Sequence, residues 1–167
     1  MATPPYIVLL GNVGVGKSAI FEKLTGLTGR YGSGHAVTST TLTSVKSWDR
    51  RLIIADTPGA HPMNDKLKHN LHIAQSINNR PVTCVLIVVR ADIRMDNVIR
   101  NVSDCAERFY TNFPSNLIGV CVTHMDTVTW TEHDFLLHVK EELDIETAVF
   151  SSIDTTGDAL SQNLQNL

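Results

Sequence analysis

Gly11-Asn12-Val13-Gly14-Val15-Gly16-Lys17-Ser18 sets three glycines, a lysine and a hydroxyl directly after the apolar run Tyr6–Leu10. Each residue type has a use if the ligand is a polyphosphate. Gly11, Gly14 and Gly16 let the backbone turn tightly and aim its N–H groups inward at phosphate oxygens. The helix expected to follow adds the positive end of its dipole. Lys17 offers a point charge to the β and γ phosphates, and the Ser18 hydroxyl is a hard oxygen donor suited to Mg²⁺. Val15 and Ala19 complete the set of cradle residues. The pattern does not separate ATP from GTP, or a kinase from a hydrolase.

Three further segments bear on that choice. Leu52–Asp56 is an apolar strand ending in a carboxylate, with Thr57-Pro58-Gly59 after it. At the carboxyl end of its strand, Asp56 faces the phosphate loop and holds Mg²⁺ through a water, while the Gly59 N–H can approach a γ-phosphate. Val120–Asp126 is a second apolar run with a polar cluster at its end. A carboxylate at Asp126 can accept two hydrogen bonds from guanine N1 and N2, a pairing adenine does not offer. Thr123 would brace the phosphate loop and His124 would lie on the base. The plainer alternative makes Asp126 a loop cap. Ser151 and Ser152, after the last short apolar run, bring backbone N–H groups toward the guanine O6. Thr38 is chosen to complete the Mg²⁺ shell in the GTP state, with Thr40 and Thr41 as competitors.

These elements need a scaffold. Tyr6–Leu10 reads as a buried strand and Lys17–Thr25 as a helix with Ile20, Leu24 and Leu27 on one face and Gly26 at its end. Residues 28–40, rich in Gly, Ser and Thr, read as a mobile loop. Thr41–Trp48 and Arg51–Ala55 flank Asp49-Arg50 as a hairpin. Asn64–Asn78 carries Leu67, Leu71 and Ala74 on a helix face. Val82–Val89 is apolar throughout, the pattern of a central strand covered on both faces. Val98, Val102, Cys105 and Phe109 mark another helix. Leu117–Val122 reads as a strand, Glu132–Leu143 as a helix and Thr147–Phe150 as a short strand. Asp154–Leu167 reads as a last helix capped by Asp154 or Thr155. Six strands and five helices in this order imply a mostly parallel sheet with one antiparallel strand and helices on both faces.

Composition narrows the function classes. The chain has 167 residues, 43% hydrophobic and 19% charged, with a formal net charge of −3. That balance gives no footprint for nucleic acid or an anionic membrane. The three cysteines, Cys84, Cys105 and Cys121, lie in apolar stretches without disulfide or metal spacing and read as core residues of a reducing, cytoplasmic compartment. His69 and His72 sit three apart without a cysteine or carboxylate to complete a zinc set. Ala2 excludes N-myristoylation, and no prenylation cysteine stands at the C-terminus.

Taken together, the segments resemble a translation-factor-class P-loop GTPase. The greatest similarity is to the immunity-associated nucleotide-binding GTPases and their septin and chloroplast import-receptor relatives. The resemblance rests on the 11–18 loop, Ala36-Val37-Thr38, Asp56-Thr57-Pro58-Gly59, and Thr123-His124-Met125-Asp126 where many G domains have Asn-Lys-x-Asp. It implies a single G domain over 1–167, of the kind cut from a longer protein, with bound GTP or GDP and Mg²⁺. It also implies GTP-dependent pairing of two copies face to face, an effector protein, and Arg94 offered across that dimer. Arg90 and Arg94 read equally as solvated charges at a helix entry.

Ala60 stands where many signalling GTPases carry a water-orienting glutamine, with His61 and His35 as candidate substitutes. Two functions follow. One is a slow GTPase, in which Lys17, Thr38, Gly59 and Arg94 carry catalysis. The other is a non-hydrolysing, GTP-dependent dimerisation or scaffold module. A P-loop nucleotide kinase is set aside, because no Arg-rich lid or second substrate segment is visible.

Overall fold

The computed structural model describes residues 3–27, 43–57, 74, 80–107 and 114–166. Among them, β1 (Tyr6–Leu10), β2 (Thr43–Lys46), β3 (Ile53–Asp56), β4 (Cys84–Arg90), β5 (Ile118–Thr123) and β6 (Ala148–Ser151) form one sheet in the order β2-β3-β1-β4-β5-β6. β1 pairs in parallel with β3 and β4, β4 with β5, and β5 with β6, while β2 runs antiparallel to β3. Among the described residues the α-helices with both ends defined are α1 (Lys17–Thr25), α2 (Met95–Ala106), α3 (Glu132–Leu143) and α4 (Gly157–Gln165).

Continuous apolar runs make β1 and β4 central strands, because both faces must be covered. Successive side chains then feed opposite layers. Ile7 and Leu9 of β1 join Leu86 and Val88 of β4 against Ile20, Phe21 and Leu24 of α1 and Leu160 and Leu164 of α4. Ile87 and Val89 of β4 join Val120 and Val122 of β5 against Val98 and Val102 of α2 and Phe135 and Val139 of α3. Tyr6, Val8 and Leu10 form a third cluster with Ile53, Ala55 and Val85. The helices therefore flank both faces, as the strand–helix alternation implies. Cys84, Cys105 and Cys121 are buried in these layers.

The bounds of β1, α1 and α3 are those read from the sequence. Elsewhere packing moves them. On α1 the buried face is Ile20, Phe21 and Leu24, while Leu27 lies beyond the Gly26 cap and is 41% exposed. The hairpin strands are shorter than read, because residues 47–52 form its turn: Ser47 and Leu52 pair by backbone and Arg50 adopts φ 61°. Thr156, not Asp154 or Thr155, caps α4 by accepting from the Ala159 N–H. Thr155 is already committed, its hydroxyl accepting from the Ser152 N–H at 2.9 Å. The 28–40 loop lies outside the described residues, as does Phe109. The 64–78 helix does too except for Ala74, which is helical but exposed rather than on a buried face. Among the described residues no helix is long and apolar enough to cross a membrane.

Asp49 ties the hairpin to α4. Its Oδ1 accepts from the Ser47 hydroxyl and, at 3.0 Å, from the Arg51 N–H; its Oδ2 accepts from Ser161 Oγ at 2.7 Å. Burial alone raises the Asp49 pKa, but the hydrogen bonds from Ser161 and Ser47 and the Arg51 contributions outweigh it and hold the carboxyl below its ordinary value. A carboxyl whose folded pKa is depressed stabilises above its unfolded value and loses that contribution as pH falls through the folded one. Asp49→Ala is expected to cost about 1–3 kcal/mol in urea unfolding at pH 7. The difference from wild type should shrink on acidification below the carboxylate range.

Candidate functional site

Three parallel strands, β1, β3 and β5, end at one edge of the sheet, and the loop 11–16 leaves β1 there. Its shape depends on glycine at two points. A Cβ on Gly11 would stand 2.2 Å from the Val88 carbonyl oxygen of β4, so only glycine lets the loop leave beside that strand. Gly16 has φ 98°, and a Cβ there would meet the Thr123 methyl at 3.3 Å. Gly14, φ 79°, faces open space; its demand is conformational alone. Val15, Gly16, Ser18 and Ala19 are half-buried around the mouth of α1.

Lys17 is the buried cation of the site, 6% exposed. Its ammonium donates to the Gly11 carbonyl at 2.9 Å and the Asn12 carbonyl at 2.8 Å, closing the loop on itself. Burial pulls its pKa down to about 8, with the Asp56 carboxylate opposing. Below that value it carries its charge.

Asp56 is fully buried at the end of β3, and Ser18 Oγ donates to its Oδ2 at 3.1 Å. A hydroxyl beside a buried carboxylate is a hard oxygen pair of the kind Mg²⁺ takes together with phosphate oxygens and water. The next residue, Thr57, had no role in the sequence reading. Its hydroxyl donates to the Leu9 carbonyl at 2.6 Å and fastens the end of β3 to β1. Thr38 and Gly59 lie outside the described residues, as do His35, Ala60 and His61.

β5 brings the second group of residues alongside. Thr123 Oγ1 donates to the Val15 carbonyl at 2.7 Å and stands 3.2 Å from the Val89 carbonyl. With its single proton on Val15, the 2.9 Å contact to His124 Nδ1 has the ring donating. His124 adopts φ 59°, which turns the chain sharply out of the strand. Burial lowers the His124 pKa, Arg90 lowers it further and Asp126 opposes. The balance favours the neutral ring. Asp126 is exposed, and its Oδ1 accepts from the Ile153 N–H at 3.3 Å.

Ser151 is buried in β6, and Ser152 begins the turn after it. The N–H groups of Ser152 and Ile153 are spent on Thr155 and Asp126. The sequence reading also missed Lys23, whose ammonium donates to the Ser152 carbonyl at 2.9 Å and more weakly to Ile153 at 3.4 Å. No local pattern marks it. On its own helix it is one more polar residue.

Arg94 follows β4 in the turn that opens α2. It is exposed at the N-cap of α2, its N–H donating to Asp92 Oδ1 at 2.8 Å, and Arg90 is exposed at the end of β4. Trp130 Nε1 donates to the Asp92 carbonyl at 2.8 Å, which fixes the turn that presents Arg94.

The family model for the 50S ribosome-binding GTPases matches residues 6–121. The chain belongs to that family. No curated protein matches it. Among solved structures it is similar to NFeoB from S. thermophilus bound to GDP·AlF₄⁻ and K⁺, at 19% identity and TM-score 0.71, over 97% of this chain and 60% of that one. A second neighbour is mGMPPNP-bound NFeoB from S. thermophilus, at 18% identity and TM-score 0.69, over 96% of this chain and 60% of that one. The chain thus spans less than two thirds of the length of these structures. They share its fold, the P-loop GTPase G domain. The family match ends before Thr123-His124-Met125-Asp126, so base choice rests on the geometry of that segment.

Removing the ammonium of Lys17 also strands the Gly11 and Asn12 carbonyls that it holds. Lys17→Ala is expected to weaken binding of fluorescent GDP by at least roughly 10–100-fold in a titration. Unchanged affinity would contradict the assignment.

Proposed function

We propose that the chain binds GTP and GDP with Mg²⁺ on the 11–18 loop and hydrolyses GTP slowly, with the nucleotide serving as a conformational or assembly ligand. The observation that carries this reading is the 2.7 Å hydrogen bond from Thr123 to the Val15 carbonyl. It holds the 11–18 loop beside the segment that carries Asp126, an adjacency that supports one ligand touching both.

In this reading the loop amides and the Lys17 ammonium bind the phosphates. Two of the ammonium's three donors serve loop carbonyls among the described residues, which leaves one for a phosphate oxygen. Ser18 and Asp56 hold Mg²⁺, with Thr38 as the further ligand in the GTP state; the ion supplies charge neutralisation between the phosphates. Asp126 selects guanine through the base's N1 and N2 hydrogens, and the neutral His124 ring lies on the base. Gly59 reports the γ-phosphate. The chain's own contribution to catalysis is positional and electrostatic.

The closer likeness to the immunity-associated, septin and import-receptor GTPases stays within this proposal. It suggests pairing of two GTP-bound copies, with Arg94 offered in trans; exposure of Arg94 on a braced turn is compatible with that use. Ala60 favours the second reading, a binding module with negligible turnover as a monomer. Phosphate release across a protein-concentration series separates the two. The expected result is specific activity that rises with concentration and falls in Arg94→Ala, with nucleotide affinity spared. An arginine supplied by a partner is worth roughly 10³–10⁵ in rate. A protein that stays monomeric with a GTP analogue by light scattering would overturn the dimer, and full activity of the variant would overturn the assignment of Arg94.

A further inference from the structure

We propose that Lys23 is a positioning residue that governs how long, and how selectively, guanine nucleotide is held, a proposal that rests on the reading of Asp126 as the base-recognition group. The Ser152 carbonyl and the Ile153 N–H belong to one peptide group. The Lys23 ammonium grips its oxygen at 2.9 Å and the Asp126 carboxylate accepts from its nitrogen at 3.3 Å. The peptide is therefore clamped between a cation on α1 and an anion after β5. A cation at the oxygen polarises the amide and strengthens its N–H as a donor, so the Lys23 contact reinforces the hold on Asp126.

Among the described residues the remaining hydrogen bond of this peptide is local, from the Thr155 N–H to the Ser152 carbonyl at 3.3 Å. Ile153 is 78% exposed, and the Thr155 hydroxyl on the Ser152 N–H holds the turn only to itself. The backbone at Lys23 is the neighbouring anchor. A Cβ on Gly157 would stand 2.1 Å from the Lys23 carbonyl oxygen, so the start of α4 is seated directly on α1 at that residue. Lys23 lies on the helix that opens with Lys17 and Ser18, six residues after Lys17. One rigid helix thus fixes the phosphate loop at its first turn and the base-side peptide further along. Loss of the ammonium leaves the phosphate end intact and frees the base end.

The test uses the full chain with Mg²⁺ and measures release of fluorescent GDP into excess unlabelled GDP. Lys23→Met keeps the apolar stem and removes the charge. It should release GDP about tenfold faster, a change typical of losing one charge-assisted hydrogen bond. Its preference for GDP over inosine diphosphate, which lacks the exocyclic amine Asp126 reads, should shrink. Affinity for inorganic tripolyphosphate, which has no base, should stay within about twofold by calorimetry, a shift too small to signal a lost hydrogen bond. Lys23→Arg, which can still donate to the carbonyl, should restore most of both effects.

Unchanged release, or an unchanged guanosine-over-inosine preference in a folded Lys23→Met protein, would overturn the role of Lys23. So would a parallel fall in tripolyphosphate affinity, since the residue would then act on the phosphate loop or on stability. Wild-type protein that fails to retain fluorescent GDP would instead overturn the nucleotide reading itself.

Discussion

A lysine ammonium buried at the turn between a strand and a helix needs acceptors, and Lys17 takes them from the loop that precedes it. Its two hydrogen bonds to the Gly11 and Asn12 carbonyls satisfy a charge that burial would otherwise make costly, as the depressed pKa of about 8 records. The loop has to curl around that cation to offer those carbonyls. Curling brings Gly11 against the Val88 carbonyl, where no side chain fits, and puts Gly16 beneath the Thr123 methyl.

The sheet holds this arrangement through the ends of its strands. Thr57 ties β3 to β1 through the Leu9 carbonyl, and Thr123 ties β5 to the loop through Val15. Both are buried hydroxyls with backbone carbonyl acceptors, contacts that tolerate little slippage of register. The apolar layers on the two faces set the strand positions, and these hydroxyls set the last fraction of the geometry. Asp56, at the end of the strand that Thr57 holds, and Ser18, just after the loop that Thr123 holds, come within hydrogen-bonding distance.

The clearest signals in the sequence were local. β1, α1 and α3 declared themselves by apolar runs, helical spacing and terminal glycine or threonine signals, which act within a few residues. The phosphate loop was legible because the turn and its ligand donors are contiguous. The alternation of strands and helices also gave the mostly parallel sheet, and Thr123 braces the loop as expected, but other long-range contacts were not legible. Phe21 is buried where Leu27 was expected because Gly26 ends the helix and redirects the chain. Thr155 could not cap α4 once it accepted from Ser152, a commitment that only the turn reveals. Lys23 meets the Ser152 carbonyl 129 positions away, a contact that nothing on its own helix announces. Thr38 and Gly59 lie outside the described residues.

The central claim is that the edge formed by the phosphate loop, Asp56 and Asp126 is a guanine nucleotide site. Calorimetry with GTP and ATP analogues in Mg²⁺, on wild type and on Asp126→Asn, tests it most directly. Leaving a carboxylate without its bidentate partner costs on the order of 2–4 kcal/mol. Wild type should therefore bind the GTP analogue and reject the ATP analogue by roughly that margin. Asp126→Asn should lose the GTP analogue and gain affinity for xanthosine triphosphate, which presents an acceptor where guanine presents its amine. Equal binding of GTP and ATP by wild type, or an Asp126→Asn protein with unchanged base preference, would contradict the account.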